Sequence, residues 1–281
     1  MNLELFNQKG IKASKTIKAI VLAGFVATTT ISCSPKSNEV LVTEIGVSPP
    51  KTASAKPTTA TDFFAQGQQR QSKGDLPGAL TAYNQAITLN PNYSAAYNSR
   101  GLVKFDRGDK QGAIADYNQA LQINPNDAIA YNYRGNARAT LNDNNGAISD
   151  YNEAIRINPN YADAYNNRGN ARAAQGDRNT ALADYNQAIA LNPKYSLAYN
   201  NRGNARAAQG DRNGAIADYN EAIRLNPNFA IAYNNRGNAR AGLGDKQNAL
   251  ADVQRAADLF LEQNNRDLYK QAVNSLNELK K

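Results

Sequence analysis

The chain has 281 residues, a formal net charge of +8, one cysteine and no histidine. Without histidine and with a single cysteine, it lacks the usual zinc ligands, the most common general base and any internal disulfide, so we expect no catalysis, no metal and no cofactor. A basic chain can bind nucleic acid or an anionic membrane, but residues 1–32 carry three of the eight net charges and the rest are spread out, so we expect no nucleic-acid partner.

Residues 1–32 have the order of an export signal. Lysines up to Lys18 precede an apolar run at 19–27, and small and polar residues follow it. The run is well short of the ~20 residues that span a bilayer as a helix. We therefore predict a signal peptide over 1–32.

The only cysteine, Cys33, follows Ile31 and Ser32 at the end of this segment. The short motif resembles the lipobox of bacterial lipoproteins, although Thr30 stands where that family usually has leucine. The resemblance implies that Cys33 is the lipidated first residue of the mature protein, which would anchor it to a membrane of the bacterial cell envelope. An ordinary signal peptide cut nearby and an uncleaved membrane anchor are the alternatives.

Residues 33–59 are predicted to form a flexible tether. Prolines at Pro49, Pro50 and Pro57 lie among serine, threonine, lysine and alanine, and large apolar residues do not recur with a helical period. Such a composition favours a disordered or partly extended chain. A tether of this kind suits an exported protein that is held near a membrane.

A unit of 34 residues then recurs six times. Its copies cover 60–93, 94–127, 128–161, 162–195, 196–229 and 230–263. A fixed period of this length is typical of stacked helical units, each of which buries its apolar face only against its neighbours. Function is therefore expected on an extended surface.

Within one unit, 162–195, the sequence predicts two helices. The first carries a tyrosine, Gly169 and Arg172 on one face and ends at Gly176. The second carries alanines and a tyrosine on its inner face and ends before Pro193, because proline disfavours helical geometry in the preceding residue. Each unit is thus predicted to be an antiparallel helix pair.

A glycine recurs at one place of the first helix, at Gly67, Gly101, Gly135, Gly169, Gly203 and Gly237. Because glycine costs ~1 kcal/mol relative to alanine inside a helix, its recurrence indicates a steric need. The places of the aromatic residues, glycine, alanines and proline, together with the period, resemble the tetratricopeptide repeat. The resemblance implies an all-α fold, an α-solenoid in which six helix pairs form a right-handed superhelix with a capping helix at 264–281.

Two recurring arginines and a recurring aspartate are predicted to belong to the scaffold. In the unit 162–195 they are Arg168 and Arg172 on the first helix and Asp184 on the second. Arginine stems can pack along apolar surface while their guanidinium groups pair with a carboxylate. A basic surface that binds nucleic acid is the less favoured alternative.

Asparagines recur at three further places of the first helix, off the predicted buried stripe. In the tetratricopeptide family this face lines a concave groove, where asparagines hold extended peptides by their backbones. The resemblance implies a peptide-binding ladder at Asn132, Asn136, Asn166, Asn167, Asn170, Asn200, Asn201, Asn204, Asn234, Asn235 and Asn238. Amides both donate and accept hydrogen bonds, so they suit a peptide backbone of almost any sequence. Alternatively, these side chains bond only to neighbouring helices or water.

The sequence therefore predicts an envelope scaffold that binds another protein, in the form of an extended peptide segment, through its concave face. The positive charge adds a modest preference for acidic segments. The alternatives are a structural spacer, a self-associating scaffold, or a membrane-anchored assembly factor without a peptide groove, since one architecture can serve many functions.

Overall fold

The computed structural model describes residues 57–280, which form thirteen α-helices and no strand. The helices are α1 (Ala60–Ser72), α2 (Leu76–Leu89), α3 (Ser94–Asp106), α4 (Lys110–Ile123), α5 (Ala128–Thr140), α6 (Asn144–Ile157), α7 (Ala162–Ala174), α8 (Arg178–Leu191), α9 (Ser196–Ala208), α10 (Arg212–Leu225), α11 (Ala230–Ala241), α12 (Lys246–Glu262) and α13 (Arg266–Lys280). The predicted signal peptide, Cys33 and most of the predicted tether lie outside the described residues. None of the helices between residues 57 and 280 has both the length and the hydrophobicity that crossing a membrane requires.

The described residues form two compact bodies, of which the first ends at Pro193 and the second begins at Lys194. The first body contains α1 to α8 and the second contains α9 to α13. Within each body the two helices of a pair pack together, and each pair packs on the next. The first helices of consecutive pairs also touch, α3 with α5, α5 with α7 and α9 with α11. Each body therefore has a face built from first helices.

The turn inside each pair combines a residue of positive φ with an aspartate cap. At the start of α8, Asp177 accepts a hydrogen bond from the backbone N–H of Thr180 at 3.3 Å, after Gly176 has turned the chain with a φ of 87°. In the third unit Asn142 takes the place of that glycine with a φ of 64°. Asparagine is the residue that best tolerates this conformation after glycine, so the turn is kept.

In the first five pairs a tyrosine of the second helix packs directly on the glycine of the first helix. A Cβ placed on Gly135 would lie 2.6 Å from Cε1 of Tyr151, and Tyr151 is only 1 % exposed. The same pairs are Gly67 with Tyr83, Gly101 with Tyr117, Gly169 with Tyr185 and Gly203 with Tyr219. The predicted steric need for glycine is confirmed.

The last pair ends the array with a different core. Val253 replaces the tyrosine of the earlier units, and Gly237 packs against it. Helix α13 then packs on α12, where Phe260, Ala272 and Leu276 share one buried cluster. The predicted capping helix is therefore present as α13, and it covers apolar surface of α12.

Candidate functional site

The recurring arginines and aspartates form a buried clamp in each unit after the first. Asp184 is 3 % exposed and accepts hydrogen bonds from Arg168 Nη2 at 2.6 Å and from Arg172 Nη1 at 2.8 Å. Arg168 Nη1 also donates to Asn152 Oδ1 of the preceding unit at 2.7 Å. Equivalent ion pairs join Arg100 and Lys104 to Asp116, Arg134 and Arg138 to Asp150, Arg202 and Arg206 to Asp218, and Arg236 and Arg240 to Asp252. The predicted pairing is confirmed.

The same arginines also lie beside the aromatic residues of the first helices. The guanidinium carbon of Arg168 is 5.4 Å from the centroid of the Tyr165 ring, within the range of a cation–π interaction. The Arg168 side chain retains only 15 % of its exposure. Its charge is therefore committed to the carboxylate and the ring, which leaves little of it to attract phosphate.

The ladder asparagines form three sets, one for each recurring place on the first helix. The first set, Asn132, Asn166, Asn200 and Asn234, is not where the sequence predicted. Asn132 and Asn200 are 3 % exposed and Asn166 is fully buried, so placing them off the buried stripe was wrong. The reason is the packing of the following unit: Asn132 Oδ1 accepts from Asn167 Nδ2 of that unit at 3.1 Å, and Asn132 Nδ2 donates at 3.3 Å to the hydroxyl of Tyr161, which directly precedes α7. In the second body, Asn234 is only partly buried.

The second set consists of Asn136, Asn170, Asn204 and Asn238. Buried tyrosines orient the first three of them. Tyr151 Oη donates to Asn136 Oδ1 at 2.7 Å. Tyr185 makes the same bond to Asn170, and Tyr219 to Asn204, each at 2.8 Å. Burial raises the pKa of Tyr151, Tyr185 and Tyr219 above the ordinary value, so each hydroxyl keeps the hydrogen it donates. With its oxygen occupied, each of these amides retains its N–H groups for further bonds.

The sixth unit lacks this orientation because Val253 has no hydroxyl to donate. There Nδ2 of Asn238 is buried and has no hydrogen-bond partner among residues 57–280. Leaving a buried polar group unpaired costs about 1–3 kcal/mol. Asn238 is therefore chemically different from its counterparts in the third, fourth and fifth units.

The third set consists of Asn167, Asn201 and Asn235. Two of them bond to asparagines of the first and second sets in the preceding unit. Asn167 Nδ2 donates to Asn132 Oδ1 at 3.1 Å, within the first body. In the second body Asn235 Nδ2 donates to Asn200 Oδ1 at 3.0 Å and to Asn204 Oδ1 at 2.9 Å. Asn201 also has an interaction partner. The structure thus brings many of the predicted amides together, but it uses part of their bonding capacity within the chain.

A cleft that the sequence did not predict lies between α3 and α5 in the first body. It has a volume of about 440 Å³. Its walls include Asn98, Ser99, Leu102, Asp127, Ile129 and Tyr133. The signal that could have found it is the departure of Ser99, Leu102 and Tyr133 from the asparagines of later units. Between residues 57 and 280, no group of three or more histidine, cysteine, aspartate or glutamate side chains could hold a metal ion.

Comparison with known proteins gives one family. The family model described as TPR repeat matches residues 67–108, 101–141, 135–176, 169–210 and 203–244. No curated protein matches the sequence.

Several solved structures share the fold. The crystal structure of MamA is 28 % identical over 57 % of this chain and 93 % of that one, with a TM-score of 0.52. PilW, described as a widely conserved type IV pilus biogenesis factor, is 18 % identical over 76 % and 98 %, with a TM-score of 0.68. YrrB, described as a TPR protein with an unusual peptide-binding site, is 22 % identical over 69 % and 98 %, with a TM-score of 0.51. The predicted all-α solenoid is confirmed.

Proposed function

Because the chain belongs to the tetratricopeptide repeat family, we propose that it is a scaffold that binds an extended segment of another protein on the faces built from its first helices. The observation that carries the proposal is the orientation of Asn136, Asn170 and Asn204 by tyrosine hydroxyls. YrrB, which has the same fold, is described as having a peptide-binding site, so the fold is compatible with this function.

The oriented amides favour a partner that offers hydrogen-bond acceptors. In Asn204 two donors, Tyr219 Oη and Asn235 Nδ2, converge on Oδ1, and turning the amide over would bring its Nδ2 against Asn235 Nδ2, one donor facing another. Main-chain carbonyl oxygens of an extended peptide are acceptors that recur regularly and do not depend on sequence. A purely structural spacer needs no such alignment of donors, and this favours binding over the spacer alternative.

The binding contribution of these amides can be tested by reversing their polarity. Aspartate has the shape of asparagine and can still accept the tyrosine hydrogen, but when ionised it offers no donor. For peptides selected from a displayed library of random linear sequences on the full chain, we expect N136D/N170D/N204D to weaken affinity by about tenfold or more, since each lost hydrogen bond is worth about 1 kcal/mol. Fluorescence polarisation measures the affinity.

A matched control carries the same change of charge outside these faces. Asn126, Asn160 and Asn228 lie in exposed loops between pairs, and N126D/N160D/N228D should leave affinity within about twofold because exposed charges are well screened by salt. Both triple variants are first compared with the parent chain by denaturant unfolding. If the two variants bind alike, the oriented amides have no role in peptide binding.

The same proposal places the scaffold in the bacterial cell envelope, anchored through a lipid on Cys33. The support is the order of basic, apolar and small residues before the only cysteine. Lipid on Cys33 would hold the repeats near a membrane without a transmembrane helix.

Intact-mass measurement of the protein extracted from bacterial membranes tests this anchor. We expect a chain that begins at Cys33 and carries added lipid mass, because a lipobox cysteine becomes the modified first residue. In the variant Cys33→Ser the lipid mass should be absent, since serine has no thiol to modify. A mature chain that still begins at Met1 would contradict the lipoprotein assignment.

A further inference from the structure

The walls of the cleft between α3 and α5 include residues that differ from those at the same places of later units. Leu102 stands where later units have an asparagine such as Asn136, and Ile129 stands where the fourth unit has Asp163. Tyr133 replaces another asparagine and packs against Tyr117, with ring centroids 5.9 Å apart. At the places of Leu102 and Tyr133 the cleft is therefore apolar or aromatic where later units carry asparagine, whereas the place of Ile129 is also apolar in the fifth and sixth units, as Leu197 and Ile231.

The polar groups of the cleft restrict what it can hold. Asp127 is the one charged side chain among its lining residues. Its Oδ1 accepts from the backbone N–H groups of Ile129 and Ala130, each at 3.0 Å, and its Oδ2 accepts from Asn98 Nδ2 at 2.6 Å. Because no cationic side chain lines the cleft, a phosphate or a carboxylate finds no countercharge there. A neutral or positively charged occupant is favoured.

Between residues 57 and 280, the side chain of Asn98 is bonded through its nitrogen alone. Its nitrogen is held by Asp127, but its Oδ1 is buried and accepts no hydrogen bond from the described residues. This oxygen is covered by the chain itself and lies out of reach of an occupant, so the apolar walls and Asp127 determine what the cleft can hold. A single exposed apolar residue would be unremarkable, but Ile129, which is 51 % exposed, lines the same cleft as Leu102 and Tyr133.

We infer that this cleft is an anchor subsite for the extended segment of the partner protein. It takes one aliphatic or aromatic side chain between Leu102, Ile129 and Tyr133. Residues that flank the anchor are neutral or basic, since Asp127 repels acidic ones. The inference rests on the proposed function, and at this cleft it reverses the preference for acidic segments that the net charge suggests.

The test replaces the apolar walls with residues that the chain itself uses at the same places. L102N/I129D converts the cleft to the pattern of Asn136 and Asp163, so the helices should fold as in the later units. Random linear peptides displayed on phage and selected on the full parent chain provide the probes. We expect the selected peptides to share an apolar residue with neutral or basic neighbours, and to bind L102N/I129D about tenfold or more weakly, because burial of that side chain is lost.

The matched control is Leu141→Gln, which removes another exposed apolar side chain of the same body and copies Gln175 of the next unit. Its affinity should equal that of the parent chain. A photocrosslinker in place of Ala95, an exposed residue of the cleft wall, should also join the chain to the apolar residue of the peptide, which checks the site without disturbing the anchor contacts.

The outcomes separate the two proposals. Peptides that bind L102N/I129D as well as the parent chain, or that carry acidic residues beside the apolar one, overturn the anchor subsite but leave peptide binding intact. If no peptide is enriched on the parent chain, both the anchor subsite and the proposed function are overturned. Weaker binding to L102N/I129D, with unchanged binding to L141Q, supports the subsite.

Discussion

Replacing Asp184 with alanine is expected to lower the free energy of unfolding by about 3 kcal/mol. Removing one member of a buried ion pair leaves its partners without a counter-charge, at a cost of about 3–5 kcal/mol. The lower end applies because Arg168 and Arg172 keep 15 % and 25 % of their exposure and can partly return to water. Urea unfolding of the parent chain and of D184A measures the difference.

Asp177 is the matched control for this change. It is an exposed aspartate that caps α8, and D177A should cost clearly less than D184A, because only a solvent-exposed cap is lost. Equal costs would contradict the clamp. The first unit supplies a second control, since it has Gln66 and Ala82 at the places of Arg168 and Asp184. The double variant R168Q/D184A has the residue types of the first unit at both places. It should therefore recover part of the stability that D184A loses.

Contacts inside one unit could be predicted from the sequence because every copy repeats them. The spacing of Gly135 and Tyr151, or of Arg168 and Asp184, indicates which faces of a helix pair meet, and the structure joins both pairs as expected. Helix ends could be predicted for the same reason, since aspartate caps and the turn before them act over a few residues.

Contacts between units could not be predicted in the same way. Asn132, for example, accepts a hydrogen bond from Asn167, which is 35 residues later and belongs to the next unit. Helical periodicity describes the faces of one helix, whereas this contact depends on how one pair packs on the next. The cleft was missed for a related reason: Leu102 and Tyr133 depart from the repeat in different units, and they mean little until the structure brings them together with Ile129.

Replacing Gly135 with alanine is expected to destabilise the first body by about 2 kcal/mol, even though alanine is the better helix former by ~1 kcal/mol. The added Cβ would lie 2.6 Å from the ring of Tyr151. That ring cannot move aside freely because it is buried and its hydroxyl is bonded to Asn136. Overpacking of a filled core typically costs about 1–3 kcal/mol, and here it falls at the upper end because the ring is held at both ends.

Gly146→Thr in the following helix provides the comparison. A Cβ there meets only the flexible cap Asp143, and the fourth unit already has Thr180 at this place, where its hydroxyl bonds to the cap Asp177 at 2.6 Å. Urea unfolding should show G146T near the parent chain and G135A well below it. If G135A is instead as stable as the parent, the glycine is not required by the Tyr151 ring. The hydroxyl that orients Asn136 would then not be held in place by this packing, and the orientation of that amide toward a partner would need another cause.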